Sequence, residues 1–309
     1  MDLLFTREIR SKRIARFYGI DLDFTYRKKY WPERYRFVFE TYDKIVVEGT
    51  AMKQKLQLFG CDPEKIVILH HGVVPFTEKP IKDFTNSKKA FKCLICGRFV
   101  EKKGFSYAVK ALGELKNKYS VPVQLTIIGD ASLQNDFLEK EKMLKLNREY
   151  NLNARFLGIV SLEEMKKEMD KNDFFLSPSV TTPNGDVEGG FPTTLIHAAN
   201  QGMILVGSTH CDIPEIIHQG KNGYVSPERD VNALVDNLRT LSKVSPKELD
   251  AMSLYSYQLV RSQFNLAEEG RQLKALYTSL IHDYGQQEPA RFAGNSKSKT
   301  QDSIRKPRG

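Results

Sequence analysis

Two short segments of the chain combine glycine with charged side chains in the way that anion sites do. In GRFVEKKG (97–104), Gly97 follows an apolar run that predicts a strand, and Arg98 and Lys103 supply two cations before a predicted helix. A glycine lets the backbone approach a ligand closely at the carboxyl end of a strand, and cations beside a helix N-terminus favour a bound phosphate. The segment predicts a diphosphate site, although an ordinary charged surface loop explains it equally well.

The second segment is a long loop, residues 177–192, that is rich in glycine and proline. Gly189 and Gly190 would present unpaired backbone N–H groups where a helix begins, and Pro192 suits a first helical turn, which needs no donor. Glu188 stands directly before these glycines and adds negative charge, so it is better suited to hold a hydroxyl group than a phosphate. The alternative is that Glu188 is a solvated loop residue or a partner of the helix dipole.

Two patterns that could suggest metal or redox chemistry have simpler interpretations. Cys93 and Cys96 have CxxC spacing, but they lie in a predicted strand, where residues three apart point to opposite faces. His70 and His71 have no third metal-ligating residue near them in the sequence. We therefore expect buried strand cysteines and no metal site.

Eight apolar, β-branched segments alternate with segments of helical period, which indicates βαβ units around a parallel sheet. They are residues 44–49, 65–72, 92–99, 123–130, 154–159, 174–179, 203–208 and 223–227. Crossover helices are predicted at 105–119 and 161–172, the second opening with a capping box at Ser161. Helical segments at 230–243 and 265–284 have no strand after them, so we expect them to pack across the end of the sheet or to return to another domain.

The length and composition describe a globular protein. The 309 residues fit one large or two ordinary domains, and no apolar run approaches the roughly 18 residues of a membrane span. Four cysteines are too few and too scattered for a disulfide framework, which agrees with a reducing compartment. With neither a long apolar leader nor a small-residue cleavage site, we expect a cytoplasmic location.

The net charge of +9 is concentrated at the two ends of the chain. Residues 1–40 and 284–309 each carry four of the excess positive charges, and the middle is nearly neutral. Because the middle shows no basic stripe interleaved with aromatic residues, we do not expect nucleic-acid binding. The N-terminal cations form either a solvated face or a contact with an anionic membrane surface. They are Arg7, Arg10, Lys12, Arg13, Arg16, Arg27, Lys28 and Lys29.

Over roughly residues 44–240 the chain resembles the retaining glycosyltransferases of family 4, whose two Rossmann-like domains form the GT-B architecture. An ordered set of segments carries the resemblance. They are VVEGTAMKQKLQLFGCDPEKIVILHHGV (46–73), GRFVEKKG (97–104), LTIIGD (125–130), ARFLGIVS (154–161), DFFLSPS (173–179), EGGFPTTLIHA (188–198), HCDIPEII (210–217) and GKNGYVSP (220–227).

The resemblance implies that Arg98 and Lys103 hold the diphosphate of a nucleotide-sugar donor and that Glu188 contacts the transferred sugar. These three residues are the expected catalytic groups. The donor-binding residues that it implies are Gly97, Arg98, Lys103, Gly129, Gly158, Glu188, Gly189, Gly190, Phe191, Pro192, Thr193 and His197. No cofactor or metal is expected, since the nucleoside diphosphate sugar is a co-substrate.

The sequence departs from the family pattern at two places. An extra glycine follows Glu188, and His197 takes the place of a second glutamate that grips the ribose hydroxyls in the family. His197 either contacts the ribose, since an imidazole can bind one hydroxyl, or is a helix residue packed beneath the loop. In FYGIDLDF (17–24), Tyr18 takes the place of a histidine that the family often has on its acceptor side.

The resemblance also predicts how the chain is divided. We expect a remnant of an acceptor domain at 1–43, a donor domain at 44–264, a crossing helix at 265–284 and a disordered basic tail at 285–309. Because most of an acceptor domain is missing, we expect the chain either to begin at an internal methionine of a longer protein or to be a natural remnant.

The predicted function is sugar transfer from a nucleoside diphosphate sugar to a polysaccharide, glycolipid or similar acceptor, in the cytoplasm or on the cytoplasmic membrane face. The alternative is a non-catalytic nucleotide-sugar-binding or assembly module.

Overall fold

The structure is a computed structural model that describes residues 11–19, 22, 28–75, 82–85, 90–134 and 136–292, the last ten of these without their side chains. Within these ranges the chain forms nine strands and ten α-helices. The strands are β1 (Ile14–Arg16), β2 (Lys44–Val47), β3 (Ile66–Ile68), β4 (Phe91–Cys96), β5 (Val123–Ile128), β6 (Arg155–Phe156), β7 (Phe174–Ser177), β8 (Ile204–Ser208) and β9 (Gly223–Ser226). The helices are α1 (Trp31–Thr41), α2 (Thr50–Leu58), α3 (Phe105–Tyr119), α4 (Asp136–Glu149), α5 (Leu162–Lys171), α6 (Thr193–Asn200), α7 (Ile213–Ile216), α8 (Val231–Leu241), α9 (Pro246–Gln263) and α10 (Leu266–Phe292).

The strands form two parallel sheets, as the alternation of apolar and helical segments predicted. The smaller sheet has the order β1-β2-β3 and the larger one the order β6-β5-β4-β7-β8-β9. In the larger sheet the chain winds outward from β4 through β5 to β6, then returns to the other side of β4 with β7. The carboxyl ends of β4 and β7 therefore lie at the point where the strand order reverses, which is where open α/β sheets bind ligands.

The larger sheet is covered by helices on both faces. Cys93 of β4 is buried in an apolar cluster with α3 and α8, whereas Cys96 is buried in a second cluster with α6 and α9. The two cysteines thus face opposite sides of the strand, as the period of two requires. The predicted capping box is also present, since Ser161 and Glu164 exchange side-chain and backbone hydrogen bonds at the start of α5.

The predicted start of the donor domain at residue 44 was wrong. Strands β2 and β3 do not extend the larger sheet, because β2 pairs with β1 on one side and β3 on the other. An apolar cluster joins this smaller sheet to α1 and includes Phe17, Tyr35 and Phe39. The apolar runs identify β2 and β3 as strands, but their sheet is set by contacts with the aromatic segment before them, which periodicity does not reveal.

The predicted disordered tail was wrong at its beginning, because α10 continues to Phe292. Extending an existing helix costs much less than nucleating one, and α10 continues through residues 286–288 even though Gly285 and Pro289 have poor helix propensity. The remainder, 293–309, lies outside the described residues. None of the helices within the described ranges is long and apolar enough to cross a membrane.

Candidate functional site

The two loops singled out in the sequence lie against each other at the carboxyl ends of β4 and β7. The N–H of Val180 donates to the carbonyl of Lys102 over 2.8 Å. The ammonium of Lys102 is 3.0 Å from Asp186 Oδ1 and donates to the carbonyl of Val187 over 3.0 Å. The loop after β7 is therefore fixed to the loop after β4 along its length.

Lys103 and Glu188 form an ion pair across the junction of these loops. Lys103 Nζ lies 2.8 Å from Glu188 Oε2, and Ser179 donates to the other carboxylate oxygen over 2.9 Å. The Glu188 side chain is only 7% exposed. Burial alone would raise the pKa of Glu188, but the charge and hydrogen bond of Lys103 hold that pKa below its usual range. The structure thus joins the predicted diphosphate loop and the predicted hydroxyl-binding acid in one ionised pair.

Arg98 is the more accessible cation of the site. Its side chain is 47% exposed, and its Nε lies 3.9 Å from Oδ2 of the buried Asp136 at the start of α4. That carboxylate also accepts from the N–H groups of Ser132 and Leu133, each over 3.0 Å. Nearly half of the Arg98 side chain therefore stays exposed beside this acidic neighbour.

Gly97, Gly129 and Gly158 lie where β4, β5 and β6 end. The N–H of Gly129 donates to the carbonyl of Gly158 over 2.8 Å. Gly129 has a φ of +124°, and a Cβ there would clash with the carbonyl oxygen of Gly97. These strand ends approach each other so closely that Gly129 cannot carry a side chain.

The segment from Glu188 to Phe191 lies against the smaller-sheet part of the chain. A Cβ on Gly19 would clash with the Glu188 carbonyl oxygen, and one on Gly189 would clash with the Gly19 backbone. The carboxylate of Glu48, at the carboxyl end of β2, accepts from the N–H of Phe191 and fills the space beside Gly190. The predicted N–H donors at the start of α6 are therefore partly engaged by an acid from the other sheet.

Glu48 is a site residue that the sequence reasoning missed. It is only 7% exposed, and burial raises its pKa above the usual range despite the nearby charges of His71 and Arg16. The signal was a charged residue at the end of a predicted strand, in KIVVEG, where charged groups tend to face a cleft. Periodicity alone does not show which cleft.

His197 lies on α6, which begins near Pro192 as predicted, although Pro192 is the N-cap residue and not part of the first helical turn. Its side chain is partly buried, and burial followed by the nearby His71 lowers its pKa to about 4. His197 is therefore a neutral imidazole at neutral pH. Near the start of the same helix, Thr194 donates through its hydroxyl to the carbonyl of Cys96 over 3.2 Å, which holds α6 against the end of β4.

His210 and Glu228 were also missed as site residues. The N–H of Glu188 donates to His210 Nε2 over 3.0 Å, and His210 Nδ1 lies 2.7 Å from Glu228 Oε1. His210 is 1% exposed. The segment HCDIPEII (210–217) is one part of the family resemblance, and nothing in its spacing indicates that its histidine supports the backbone of Glu188.

Asp212, at the N-cap of α7, and Glu215, within α7, cap the N-terminus of α2 and so join the two sheets. Thr50 N–H donates to Glu215 Oε1 and Ala51 N–H to Asp212 Oδ1, each over 2.6 Å. Burial, together with the nearby charges of Glu215 and Glu48, raises the pKa of Asp212 to about 7.

The N-terminal basic cluster is partly used within the protein. Arg16 pairs with Glu269 of α10, and Lys12 lies 3.0 Å from Asp43 Oδ1. The Arg16 guanidinium also lies 5.1 Å from the ring of Tyr18, which is 49% exposed. These two cations are therefore not available to a membrane. Across the described residues, no three His, Cys, Asp or Glu side chains are placed to hold a metal ion.

Comparison with known proteins gives a consistent family match. A family model described as Glycosyl transferases group 1 matches residues 77–258. The putative colanic acid biosynthesis glycosyltransferase WcaL of Escherichia coli (strain K12) is 29% identical over 276 residues, covering 88% of this chain and 65% of that protein. The amylovoran biosynthesis glycosyltransferase AmsK of Erwinia amylovora is 28% identical over 274 residues, with coverages of 88% and 65%. The chain thus spans 65% of the length of these curated relatives.

Solved structures agree on the fold. Anabaena Alr3699/HepE in complex with UDP matches with a TM-score of 0.71 at 15% identity, over 87% of this chain and 73% of that one. The pneumococcal O-GlcNAc transferase GtfA in complex with UDP and GlcNAc matches with a TM-score of 0.65 at 21% identity, over 88% and 53%. At such identities the likeness concerns the fold alone, and it confirms the predicted GT-B type of α/β fold.

Proposed function

The chain belongs to the glycosyl transferases group 1 family, and from this premise we propose that it transfers a sugar from a nucleoside diphosphate sugar to a glycan or glycolipid acceptor. The observation that carries the proposal is the Lys103–Glu188 pair, 2.8 Å long, at the strand-order reversal of the larger sheet. A cation for phosphate and an acid for sugar hydroxyls then lie side by side, as a nucleotide-sugar site requires.

The proposed catalysis is largely electrostatic. When the nucleoside diphosphate departs, negative charge develops on its β-phosphate, and positive groups already in place lower the energy of that state. Arg98 and Lys103 would supply the positive charge, together with the backbone N–H groups of residues 189–193. Gly97, Gly129 and Gly158 would let the donor approach the strand ends. Glu188 would orient the transferred sugar, and His197 would contact the ribose.

We further propose that the acceptor is a growing polysaccharide or its glycolipid precursor, because the curated relatives are named for colanic acid and amylovoran biosynthesis. The acceptor would reach the donor from the smaller-sheet side, where Glu48 and Tyr18 lie. The proposed location is the cytoplasm or the cytoplasmic face of the membrane. Lys28, Lys29 and the cations at 7, 10 and 27 would carry any membrane contact.

One observation favours a second candidate, a non-catalytic nucleotide-sugar-binding module. Two of the proposed donor contacts, the Lys103 ammonium and the Phe191 N–H, are engaged by the carboxylates of Glu188 and Glu48. A donor would have to share these two groups with the carboxylates or displace the carboxylates. A protein that only binds the donor could do so without transferring the sugar.

The deciding experiment measures binding and turnover on the same preparation. UDP-glucose is the first donor to test, because solved relatives of this fold were crystallised with UDP, glucose or UDP-glucose. We expect calorimetric binding of UDP-glucose, transfer or slow hydrolysis of its glucose, and no loss of turnover in excess EDTA. Binding without transfer or hydrolysis would favour the module. If no nucleoside diphosphate or nucleotide sugar binds, both candidates are wrong.

A further inference from the structure

We propose that His210, oriented by Glu228, is a positioning residue that fixes the peptide of Glu188 and thereby sets the affinity of the site for the sugar part of its donor. The proposal rests on the proposed function, in which Glu188 contacts the transferred sugar. His210 itself lies behind the loop and touches no substrate.

The hydrogen bonds around His210 specify one form of its imidazole. Nε2 accepts from the Glu188 N–H over 3.0 Å, so this nitrogen carries no proton. Nδ1 must then carry the proton and donate it to Glu228 Oε1, 2.7 Å away. Protonating Nε2 would place two donors against each other and break the bond to Glu188. The geometry therefore requires a neutral imidazole with its proton on Nδ1.

Glu228 is suited to hold that form. Burial raises its pKa, but the hydrogen bonds from the Thr181 N–H and from His210 outweigh burial and keep the pKa below its usual range. Its other carboxylate oxygen accepts the Thr181 N–H over 2.6 Å. An ionised acceptor facing Nδ1 favours the proton on that nitrogen, because a proton on Nε2 alone would leave the carboxylate without its donor.

Together the two residues hold both ends of the loop segment that presents Glu188. Glu228 binds the segment at Thr181, and His210 binds it at Glu188. Cys211 Sγ also lies 3.2 Å from His210 Nε2, but a thiol is a weak partner compared with an amide. With the Glu188 peptide fixed, its carboxylate can satisfy Lys103 and Ser179 in one orientation, so a sugar hydroxyl meets an acceptor that is already in place.

The charged groups that face this imidazole come from each neighbouring segment. Glu228 faces it from the loop after β9, and Glu188 faces it through its backbone from the loop after β7. Lys103 lies beyond Glu188 as the partner of its carboxylate. Because only the sugar part of the donor depends on Glu188, loss of the His210 hydrogen bond should weaken UDP-glucose binding more than UDP binding.

The first test reads the imidazole directly in the complete wild-type chain. Nitrogen-15 correlation spectra of the six histidines at neutral pH should contain one neutral imidazole with its proton on Nδ1, absent from the spectrum of the His210→Gln variant. If the resonance lost on substitution comes from an imidazole protonated on Nε2 or on both nitrogens, the proposal is overturned.

The second test uses two matched substitutions. The amide oxygen of glutamine reaches the position of Nε2, so His210→Gln can still accept the Glu188 N–H. The shorter His210→Asn can only replace Nδ1 and face Glu228. We expect His210→Asn to weaken UDP-glucose binding about tenfold, the scale of one lost hydrogen bond, with UDP binding changed less than about twofold. His210→Gln should recover most of the loss.

The outcomes separate this proposal from the proposed function. If wild type binds neither UDP nor UDP-glucose, the proposed function fails, and the spectrum still decides the state of His210. If wild type binds UDP-glucose but the asparagine and glutamine variants bind it equally, the positioning role is overturned. Should both variants fail to fold, Glu228→Gln provides the same comparison, because its carboxylate is 28% exposed and its loss should populate the other imidazole form.

Discussion

At the scale of single residues, the site depends on charges whose partners are themselves buried. Glu188 is almost fully buried and is kept ionised by Lys103. Removing one member of such a pair leaves the other as an uncompensated charge, which costs more than the pair contributes. Substitutions here must therefore be judged by stability as well as by ligand affinity.

Arg98→Ala and Lys103→Ala should each weaken nucleoside diphosphate binding by roughly 1.5–3 kcal/mol, the range for hydrogen bonds to charged groups. Binding of the nucleoside alone should change little, because neither side chain is expected to touch the base or ribose. Lys103→Ala should also lower the melting temperature, since it leaves Glu188 unpaired. Arg98→Ala should lower it less, because Asp136 keeps the N–H groups of Ser132 and Leu133 as donors. Calorimetry with UDP and uridine, alongside thermal unfolding, measures these effects.

Lys102→Ala is the matched control, because Lys102 neighbours Lys103 but pairs with Asp186 instead of Glu188. It should leave UDP affinity within about twofold, as expected of a side chain outside the phosphate site. Equal UDP affinities in wild type, Arg98→Ala and Lys103→Ala would show that the donor site lies elsewhere.

His197→Glu tests the contact proposed between α6 and the ribose. A carboxylate can accept from both ribose hydroxyls, whereas the neutral imidazole of His197 engages one. We therefore expect the variant to bind UDP more tightly by roughly 1–2 kcal/mol, about one further hydrogen bond to a charged group. A lower melting temperature without tighter binding would contradict the contact, because it would show a carboxylate buried beneath the loop without a partner.

The sequence was sufficient for residues whose role depends on local spacing. Arg98 and Lys103 follow a strand and precede a helix, and Glu188 precedes a glycine pair, so their proximity follows from the topology of a parallel sheet. Glu48 and His210 could not be found in this way. Each acts through a contact with the backbone of the loop after β7, and such contacts depend on how whole elements pack.

At the scale of elements, the two acids at the junction between α2 and α7 have pKa values shifted in opposite directions. Asp212 and Glu215 both accept N–H groups at the start of α2. The pKa of Asp212 is raised, chiefly by burial, to about 7. For Glu215, burial also raises the pKa, but hydrogen bonds with His70 and Thr50 outweigh it, and the net pKa lies below its usual range.

Asp212→Asn should therefore stabilise the protein at high pH. Asp212 binds its proton more tightly in the folded state than in the unfolded state, where its pKa is near 3.8. The contribution of Asp212 to the free energy of unfolding of wild type therefore falls as the pH rises from about 4 to about 7. At pH 8 the variant should be more stable by roughly 1–3 kcal/mol, and the difference should shrink as the pH falls through 7 toward 5. Melting temperatures across this range measure it.

Glu215→Gln, at the same junction, should destabilise the protein at high pH. The folded-state pKa of Glu215 is lowered, so its contribution is present above the usual value of 4.5 and is lost as pH falls below it. The variant should therefore melt lower than wild type at pH 8 and approach it in acid. If the melting temperatures of the two variants changed with pH in the same way relative to wild type, the opposite pKa shifts of Asp212 and Glu215 would be contradicted.

Strand positions were the best predicted elements, because a buried parallel strand is a short apolar run between turn residues. All eight predicted strands form, and α6 begins near Pro192 as expected. The assignment of β2 and β3 to the larger sheet failed, since an apolar run looks the same in either sheet. Only contacts with β1 and with the aromatic residues of α1 show that β2 and β3 belong to the smaller sheet. Both β1 and α1 lie in a segment without βαβ periodicity.

At the scale of the whole molecule, α10 connects the end of the chain to the smaller sheet. Glu269 accepts from the Gly72 N–H over 2.8 Å and pairs with Arg16, so the start of α10 contacts the smaller-sheet part of the chain. One carboxylate, 9% exposed, thus serves the loop after β3 and the end of β1.

Glu269→Ala should destabilise the protein by roughly 3 kcal/mol or more, because it leaves a mostly buried Arg16 guanidinium and a backbone N–H without their acceptor. The neighbouring Glu268 pairs with Arg271 and accepts from the Gln272 side chain, both within the same exposed helix, so Glu268→Ala is the control and should change stability by less than about 0.5 kcal/mol. Thermal and urea unfolding compare them. Equal effects would show that α10 does not support the smaller sheet.

The bond between Gly72 and Glu269 also has a consequence for the order in which the protein becomes stable during synthesis. The two residues are 197 positions apart, and ribosomes add roughly 5–20 residues per second, so the smaller sheet leaves the exit tunnel many seconds before its acceptor exists. Throughout that interval Arg16 and the Gly72 N–H have no Glu269. The smaller sheet, although it is made before the larger one, should therefore be the later of the two to gain full resistance to a protease acting on the nascent chain.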